Sequence, residues 1–199
     1  MMGYGFGVDI GGTTVKIAFF DCNGTLLQKW EIKTNTENNG HAILPDIAAS
    51  LKCFLEKENI RKEEIIGIGI GVPGPVDDAG VVNKCVNLGW GKVNLCEELY
   101  SLTGFSVKAG NDANVAALGE CWQGAAKGCE DVVMATLGTG IGGGIVVRGK
   151  ITNGAHGAGG EIGHLRVKER ETETCGCGNH GCLEQYASAN GIARVTKKY

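Results

Sequence analysis

Three cysteines fall within one short stretch, Cys175-Gly176-Cys177-Gly178-Asn179-His180-Gly181-Cys182, with Leu183-Glu184 directly after it and Gly160-Glu161-Ile162-Gly163-His164 shortly before. Three thiolates and one imidazole complete a closed tetrahedral set, the composition of a structural Zn²⁺ site, and the interleaved glycines let the backbone wrap around an ion. Such a site would contribute on the order of 10 kcal/mol to ordering the loop. The expected ligands are His164, Cys175, Cys177 and Cys182. His180, inside the loop, is a rival; His164 is preferred because that choice aims Glu161, three residues earlier, at a bound substrate. Three free buried thiols are the bland alternative.

A different chemistry is written in the glycine-rich turns. In Asp9-Ile10-Gly11-Gly12-Thr13-Thr14-Val15-Lys16 several backbone N–H groups can converge on one phosphate, the hydroxyls of Thr13 and Thr14 add donors, and Asp9 can hold Mg²⁺ through water. Taken singly, an ordinary Gly-Gly hairpin explains the pattern equally well. The run Leu137-Gly138-Thr139-Gly140-Ile141-Gly142-Gly143-Gly144 repeats it, and two such turns favour phosphate. The expected contacts to nucleotide and Mg²⁺ are Asp9, Gly11, Gly12, Thr13, Thr14 and Lys16 in the first turn and Gly138, Thr139 and Gly140 in the second. Two G-x-G-x-x-G matches, beginning at Gly69 and Gly138, run into prolines and into a β-branched strand rather than into a helix, so a dinucleotide fingerprint is discounted.

Asn111-Asp112-Ala113-Asn114 joins a predicted strand end to a predicted helix start. A carboxylate there can take a ligand proton while Asn111 donates to and accepts from neighbouring hydroxyls. In isolation a helix cap is the simpler reading. Beside two phosphate turns the base reading gains, because phosphoryl transfer through a loose transition state needs the proton only late, and orienting the nucleophile is the larger task.

The elements that must position these groups follow from periodicity. Strands are predicted over residues 4–10, 15–20, 26–32, 65–72, 107–109, 132–137 and 141–147; helices over 41–57, 94–102 with Asn94 as cap, 113–123 and 182–199. A strand, glycine turn, strand unit therefore occurs twice. Two α/β domains are expected, 1–112 with the first phosphate turn and the catalytic loop, and 113–199 with the second turn and the cysteine loop. Glycine is the compositional outlier, 34 of 199 residues, gathered where backbone must approach ligand or other backbone. Lys+Arg 19 against Asp+Glu 22 leaves a formal net charge of -3, which argues against nucleic acid or anionic membrane as partner. The start of the chain lacks a signal-peptide pattern and no apolar run approaches a membrane span, so a cytoplasmic protein is expected. Nine cysteines, an odd number and mostly scattered, argue against a disulfide framework.

Together the Asp9 turn, residues 71–75, Asn111 to Asn114, Leu137 to Gly144, Gly160 to His164, and Cys175 to Glu184 with Ala187-Ser188 resemble the ROK family of sugar kinases and repressors, in the family's order along nearly the whole chain. The resemblance implies an actin-like, ribonuclease H-like α/β fold of the hexokinase superfamily, with ATP and hexose bound between two domains, and a homodimer. It implies Asp112 as catalytic base, and Gly74, Asn111, Asp112, Glu161, His164 and Glu184 as sugar contacts, His164 serving zinc through one ring nitrogen and sugar through the other. Family members are usually longer, so the resemblance also implies that the carboxyl-terminal part, with the adenosine pocket, is missing. The chain begins at its first strand without a helix-turn-helix, which favours kinase over regulator. Phosphorylation of glucose is the leading expectation; N-acetylmannosamine or fructose as substrate, a sugar-sensing regulator and a zinc-ribbon interaction module are the alternatives.

Overall fold

A computed structural model describes residues 3–154 and 157–197. The chain divides into two compact units, Met1–Asp112 and Ala113–Tyr199. In the first, β1 (Tyr4–Ile10) and β2 (Thr14–Asp21) alternate, burying Phe6, Val8, Ile10, Val15, Ile17 and Phe19, as a period of two requires. An Asn23-Gly24 turn, with Gly24 at φ 82°, leads into β3 (Leu26–Lys33). A single turn, α1 (Glu37–Gly40), holds Asn38 and Asn39 in the left-handed region before α2 (Ile43–Glu58). Helix α2 buries Ile43, Ile47, Leu51 and Phe54, and the Phe54 ring stacks on Trp30 at 4.6 Å while meeting Phe19 at 4.9 Å. This aromatic contact seats the helix on the sheet.

The next strand, β4 (Ile65–Val72), lies parallel to β1. A short ribbon of β5 (Val81–Val82) and β6 (Val93–Asn94), not anticipated from periodicity because each strand is only two residues, precedes α3 (Leu95–Thr103). Asn94 caps α3 as expected, accepting from the Glu97 N–H at 3.3 Å. Strand β7 (Val107–Asn111), two residues longer than expected, pairs parallel with β4 and completes a sheet of order β3-β2-β1-β4-β7.

The second unit begins at the second residue of helix α4 (Asp112–Gln123). Its sheet has the order β10-β9-β8, from β8 (Val132–Leu137), β9 (Ile141–Val147) and β10 (Lys150–Ile151). The predicted helix over 182–199 is two helices, α5 (Glu184–Ala187) and α6 (Ala189–Thr196). Between them Ser188 is extended; its hydroxyl donates to the Glu184 carbonyl at 2.6 Å and accepts from the Gly191 N–H at 2.9 Å. That cap starts α6 afresh and overrides the apolar spacing that suggested continuity. Residues 198 and 199 of the predicted helix lie outside the described residues. No helix among the described residues is long and apolar enough to cross a membrane.

The first glycine turn is held from outside. The buried Thr34 donates its hydroxyl to the Gly11 carbonyl at 2.7 Å and its N–H to the Thr13 carbonyl at 3.0 Å. Thr34→Val keeps the β-branched shape and leaves one carbonyl without its donor, so we expect a loss of about 1–3 kcal/mol in urea unfolding; an unchanged midpoint would remove Thr34 as the brace.

Candidate functional site

In the first unit the sequence-selected residues gather at the carboxyl ends of β1, β4 and β7, the end at which parallel α/β sheets present ligand sites. Asp9 is in register with Gly71, and Gly71 with Gly110. A Cβ on Gly71 would lie 3.5 Å from the Asp112 Cα and 3.9 Å from Asp9 Oδ1, so both carboxylate residues border the same bare stretch of β4. Asn111 donates from Nδ2 to the Gly74 carbonyl at 3.3 Å, and Gly74, at φ 99°, sits where a side chain would press on the Lys84 carbonyl. Lys16 and Asp9 face each other at 3.9 Å with both side chains more than half exposed, a pairing of little energetic weight. Gly11, Gly12, Thr13 and Thr14 form the turn beside them.

In the second unit Glu161, His164, Glu184 and the three loop cysteines come together. One ligand atom from each of His164, Cys175, Cys177 and Cys182 lies within 4.8 Å of every other. Cys177 Sγ and Cys182 Sγ are 3.7 Å apart, and Cys175 Sγ is 3.7 Å from His164 Nδ1. Bonds of about 2.3 Å to sulfur in a tetrahedron require sulfurs about 3.7–3.8 Å apart, so the set fits a tetrahedral divalent ion. His180 is outside the cluster and lines a neighbouring hollow of about 310 Å³ with His164, Arg166, Gly178 and Asn179. Burial pushes the Cys175 and Cys182 thiols up, whereas at Cys177 the Asn179 N–H and the neighbouring thiols outweigh burial and bring the thiol down. A divalent cation would reverse the cost at the first two by supplying the missing charge.

His164 faces two ways. Its Nδ1 points at Cys175 and lies 3.6 Å from Glu184 Oε1, while Nε2 is 3.8 Å from Glu161 Oε2. Glu184 Oε1 also accepts from the Cys175 thiol at 2.9 Å. The second glycine turn reaches the same carboxylate: a Cβ on Gly140 would lie 2.9 Å from Glu184 Oε2. The Gly138 carbonyl accepts from the Ala189 N–H at 2.9 Å, and Thr139 lies between these two glycines.

The glycines that follow this turn do other work. A Cβ on Gly142 would lie 3.1 Å from the Ala113 Cβ, and one on Gly144 would lie 2.6 Å from the Ala117 Cβ, so both let α4 lie against β9. Gly143 and Gly160 meet backbone to backbone, each occupying the space into which a Cβ of the other would project. Only Gly138 and Gly140 are left at the tip. Sequence reasoning missed Thr34, which carries no spacing signal, and it did not show that Gly160 is needed for a close backbone approach. Gly160, at φ 89°, admits no side chain in either conformation or space. Gly160→Ala should therefore cost on the order of 3 kcal/mol by chemical denaturation; a loss below about 0.5 kcal/mol would contradict the close approach.

Comparison with known proteins matches residues 5–199 to the ROK family model, described as "ROK family". A glucokinase of Halalkalibacterium halodurans is 46% identical over 95% of this chain and 58% of its own length. A ROK family glucokinase from Streptomyces griseus, solved with glucose and AMPPNP, superposes with a TM-score of 0.82 at 36% identity, covering 98% of this chain and 61% of that one. A ROK family transcriptional regulator, a homologue of the E. coli MLC protein, superposes with a TM-score of 0.85 at 27% identity, over 98% of this chain and 49% of the regulator. The chain thus spans about three-fifths of the length of the kinases it matches, and its fold is theirs, the actin-like α/β fold. The Asp9 turn, the Asn111-Asp112 junction and the Cys₃His loop all lie within the matched residues: the chain belongs to the ROK family.

Proposed function

We propose that this protein is an ATP-dependent hexose kinase acting with Mg²⁺, and that glucose, phosphorylated on its 6-hydroxyl, is its substrate. The observation that carries the reading is His164, one ring nitrogen turned to three thiols and the other to Glu161, with Glu184 beside it. Similarity to glucokinases over nearly the whole chain supports it.

In this reading His164, Cys175, Cys177 and Cys182 hold Zn²⁺. That ion would offset the charge of the thiolates and fix the orientation of His164. Glu161, His164 and Glu184 bind sugar hydroxyls. Gly74 and Asn111 do the same in the first unit, where the Asn111 side chain is already turned toward Gly74. Asp112 receives the proton of the attacking hydroxyl, a late transfer for which an ordinary carboxylate is basic enough. The turn Gly11, Gly12, Thr13, Thr14 and the turn Gly138, Thr139, Gly140 contact the nucleotide phosphates, with Asp9 holding Mg²⁺ through water and Lys16 close to it.

A sugar-sensing regulator is the second reading, supported by the superposition on a regulator of the family. It would use the hydroxyl ligands without transferring phosphate. The two separate in one assay: the chain, alone and joined to the part of the H. halodurans relative outside the match, is given Mg-ATP and a panel of hexoses. Turnover on glucose is expected; sugar binding without turnover on any hexose would select the regulator. Asp112→Asn should lower kcat by at least about 100-fold while sugar affinity by calorimetry stays within about tenfold, and retained turnover would strip Asp112 of its role. Metal analysis should find one zinc per chain, lost in Cys177→Ala; equal metal content in both would leave the cysteines as plain thiols.

A further inference from the structure

Outside the ligands themselves the cysteine loop is tied to a compact polar network that joins Gln185 and Tyr186 of α5, Arg194 of α6, and Glu171 and Glu173. Gln185 Oε1 accepts from the N–H groups of Gly181, at 2.8 Å, and Cys182, at 3.0 Å, and its Nε2 donates to the Glu173 carbonyl at 2.9 Å. One amide side chain thereby joins both flanks of the loop. Arg194 fastens that amide's own backbone: Nη2 and Nε donate to the Gln185 carbonyl at 2.9 and 3.2 Å. The same guanidinium reaches Glu173 Oε2 at 2.7 Å through Nη1 and Glu171 Oε2 at 3.1 Å through Nη2, and its Cζ lies 5.1 Å from the centre of the Tyr186 ring. Tyr186 donates its hydroxyl to Glu171 as well. The Tyr186 hydroxyl, the Glu173 N–H and Arg194 together hold the Glu171 carboxyl far below the usual carboxylate range.

We propose that Arg194, acting through Gln185, is a positioning residue for the metal loop, setting the places of Cys182 and Glu184 although it touches neither ion nor substrate. The proposal rests on the reading of His164, Cys175, Cys177 and Cys182 as a Zn²⁺ site. Gln185 lies between Glu184, the neighbour of the second glycine turn, and the helix that Arg194 anchors. A shift of that residue moves a ligand thiol and a sugar carboxylate together. The guanidinium suits this task because its planar fork serves a carbonyl and two carboxylates at once, which a lysine ammonium cannot do with comparable geometry.

Zn²⁺ retention is measured by competition with a chromophoric chelator, alongside the rate at which Cys182 is alkylated in chelator-stripped protein, read by peptide mass spectrometry. Arg194→Met should weaken Zn²⁺ retention about 10- to 100-fold and speed Cys182 alkylation, with the helical circular-dichroism signal preserved. Gln185→Leu should do the same. The double variant should be no worse than the poorer single one, since both act along one path, and Arg194→Lys should fall between wild type and Arg194→Met. Wild-type retention and alkylation in both single variants would overturn the proposal, as would effects that add in full. Should Arg194→Met not fold, Arg194→Lys and Gln185→Leu carry the same comparison. A wild-type chain that binds no zinc would overturn the metal reading alone, and the alkylation rates would still decide whether Arg194 places the loop.

Discussion

In the second unit the segment that carries Glu161 and His164 is laid directly on β9, with the carbonyl of Gly160 against Gly143 and that of Gly143 against Gly160. Backbone can approach backbone this closely only where neither residue has a side chain. The contact fixes where the single 3₁₀ turn Ile162–His164 begins, and hence where the two ring nitrogens of His164 can point. On the other side of β9, Gly142 and Gly144 admit α4 at equally short range through Ala113 and Ala117. Three consecutive glycines of one strand therefore set the distance to a helix and to the segment of Glu161 and His164 together, and lengthening any of them by one carbon displaces a neighbour rather than filling a gap.

The two units are stabilised by different means. The first has a large apolar cluster in which Phe6, Phe19 and Phe54 interlock with Trp30 under α2. In the second, the buried apolar side chains among the described residues are Ala113, Ala117, Ile141, Val146, Cys175 and Cys182. Small side chains bury little area, and at roughly 25 cal/mol per Å² they contribute correspondingly little. Ordering of residues 160–197 then depends on polar ties: the Ser188 cap, the Arg194 network and the cysteine cluster. A metal ion held by His164, Cys175, Cys177 and Cys182 would add stability on the order of 10 kcal/mol to these ties.

The sheets were legible in the sequence because their strands alternate strictly, as in β1 and β2, or run into glycine turns, as in β8 and β9. The cysteine cluster was legible too, since spacing alone brought Cys175, Cys177 and Cys182 within reach of one ion and the choice of His164 over His180 matches the geometry. What escaped were features without local signature. The two-residue strands β5 and β6 carry too few positions to show a period, and the break at Ser188 is made by a hydroxyl satisfying two backbone groups, which apolar spacing cannot register. Gly142, Gly143 and Gly144 looked like part of a phosphate turn but serve close packing, because a glycine reports that something approaches without saying what. Arg194 joins Glu171, Glu173 and Gln185 only after α6 has folded back, so no window of sequence contains the network.

The two faces of His164 also restrict what it can offer a substrate. An imidazole that binds an ion through Nδ1 must leave that nitrogen without a proton, so its remaining proton sits on Nε2 and that nitrogen can only donate. Nε2 is 3.8 Å from Glu161 Oε2, too far for a good hydrogen bond, yet a hydroxyl oxygen about 2.8 Å from each would close the gap. A carboxylate can only accept. On the proposed reading, then, the group that fits between them must accept from His164 and donate to Glu161 at once. A hydroxyl does both, an ether oxygen or a methylene cannot, and a site built from one fixed donor and one fixed acceptor discriminates against deoxy or alkylated sugars by leaving its own polar groups unpaired. On that proposed reading, metal binding and substrate selection are the same constraint on one ring, expressed at its two nitrogens.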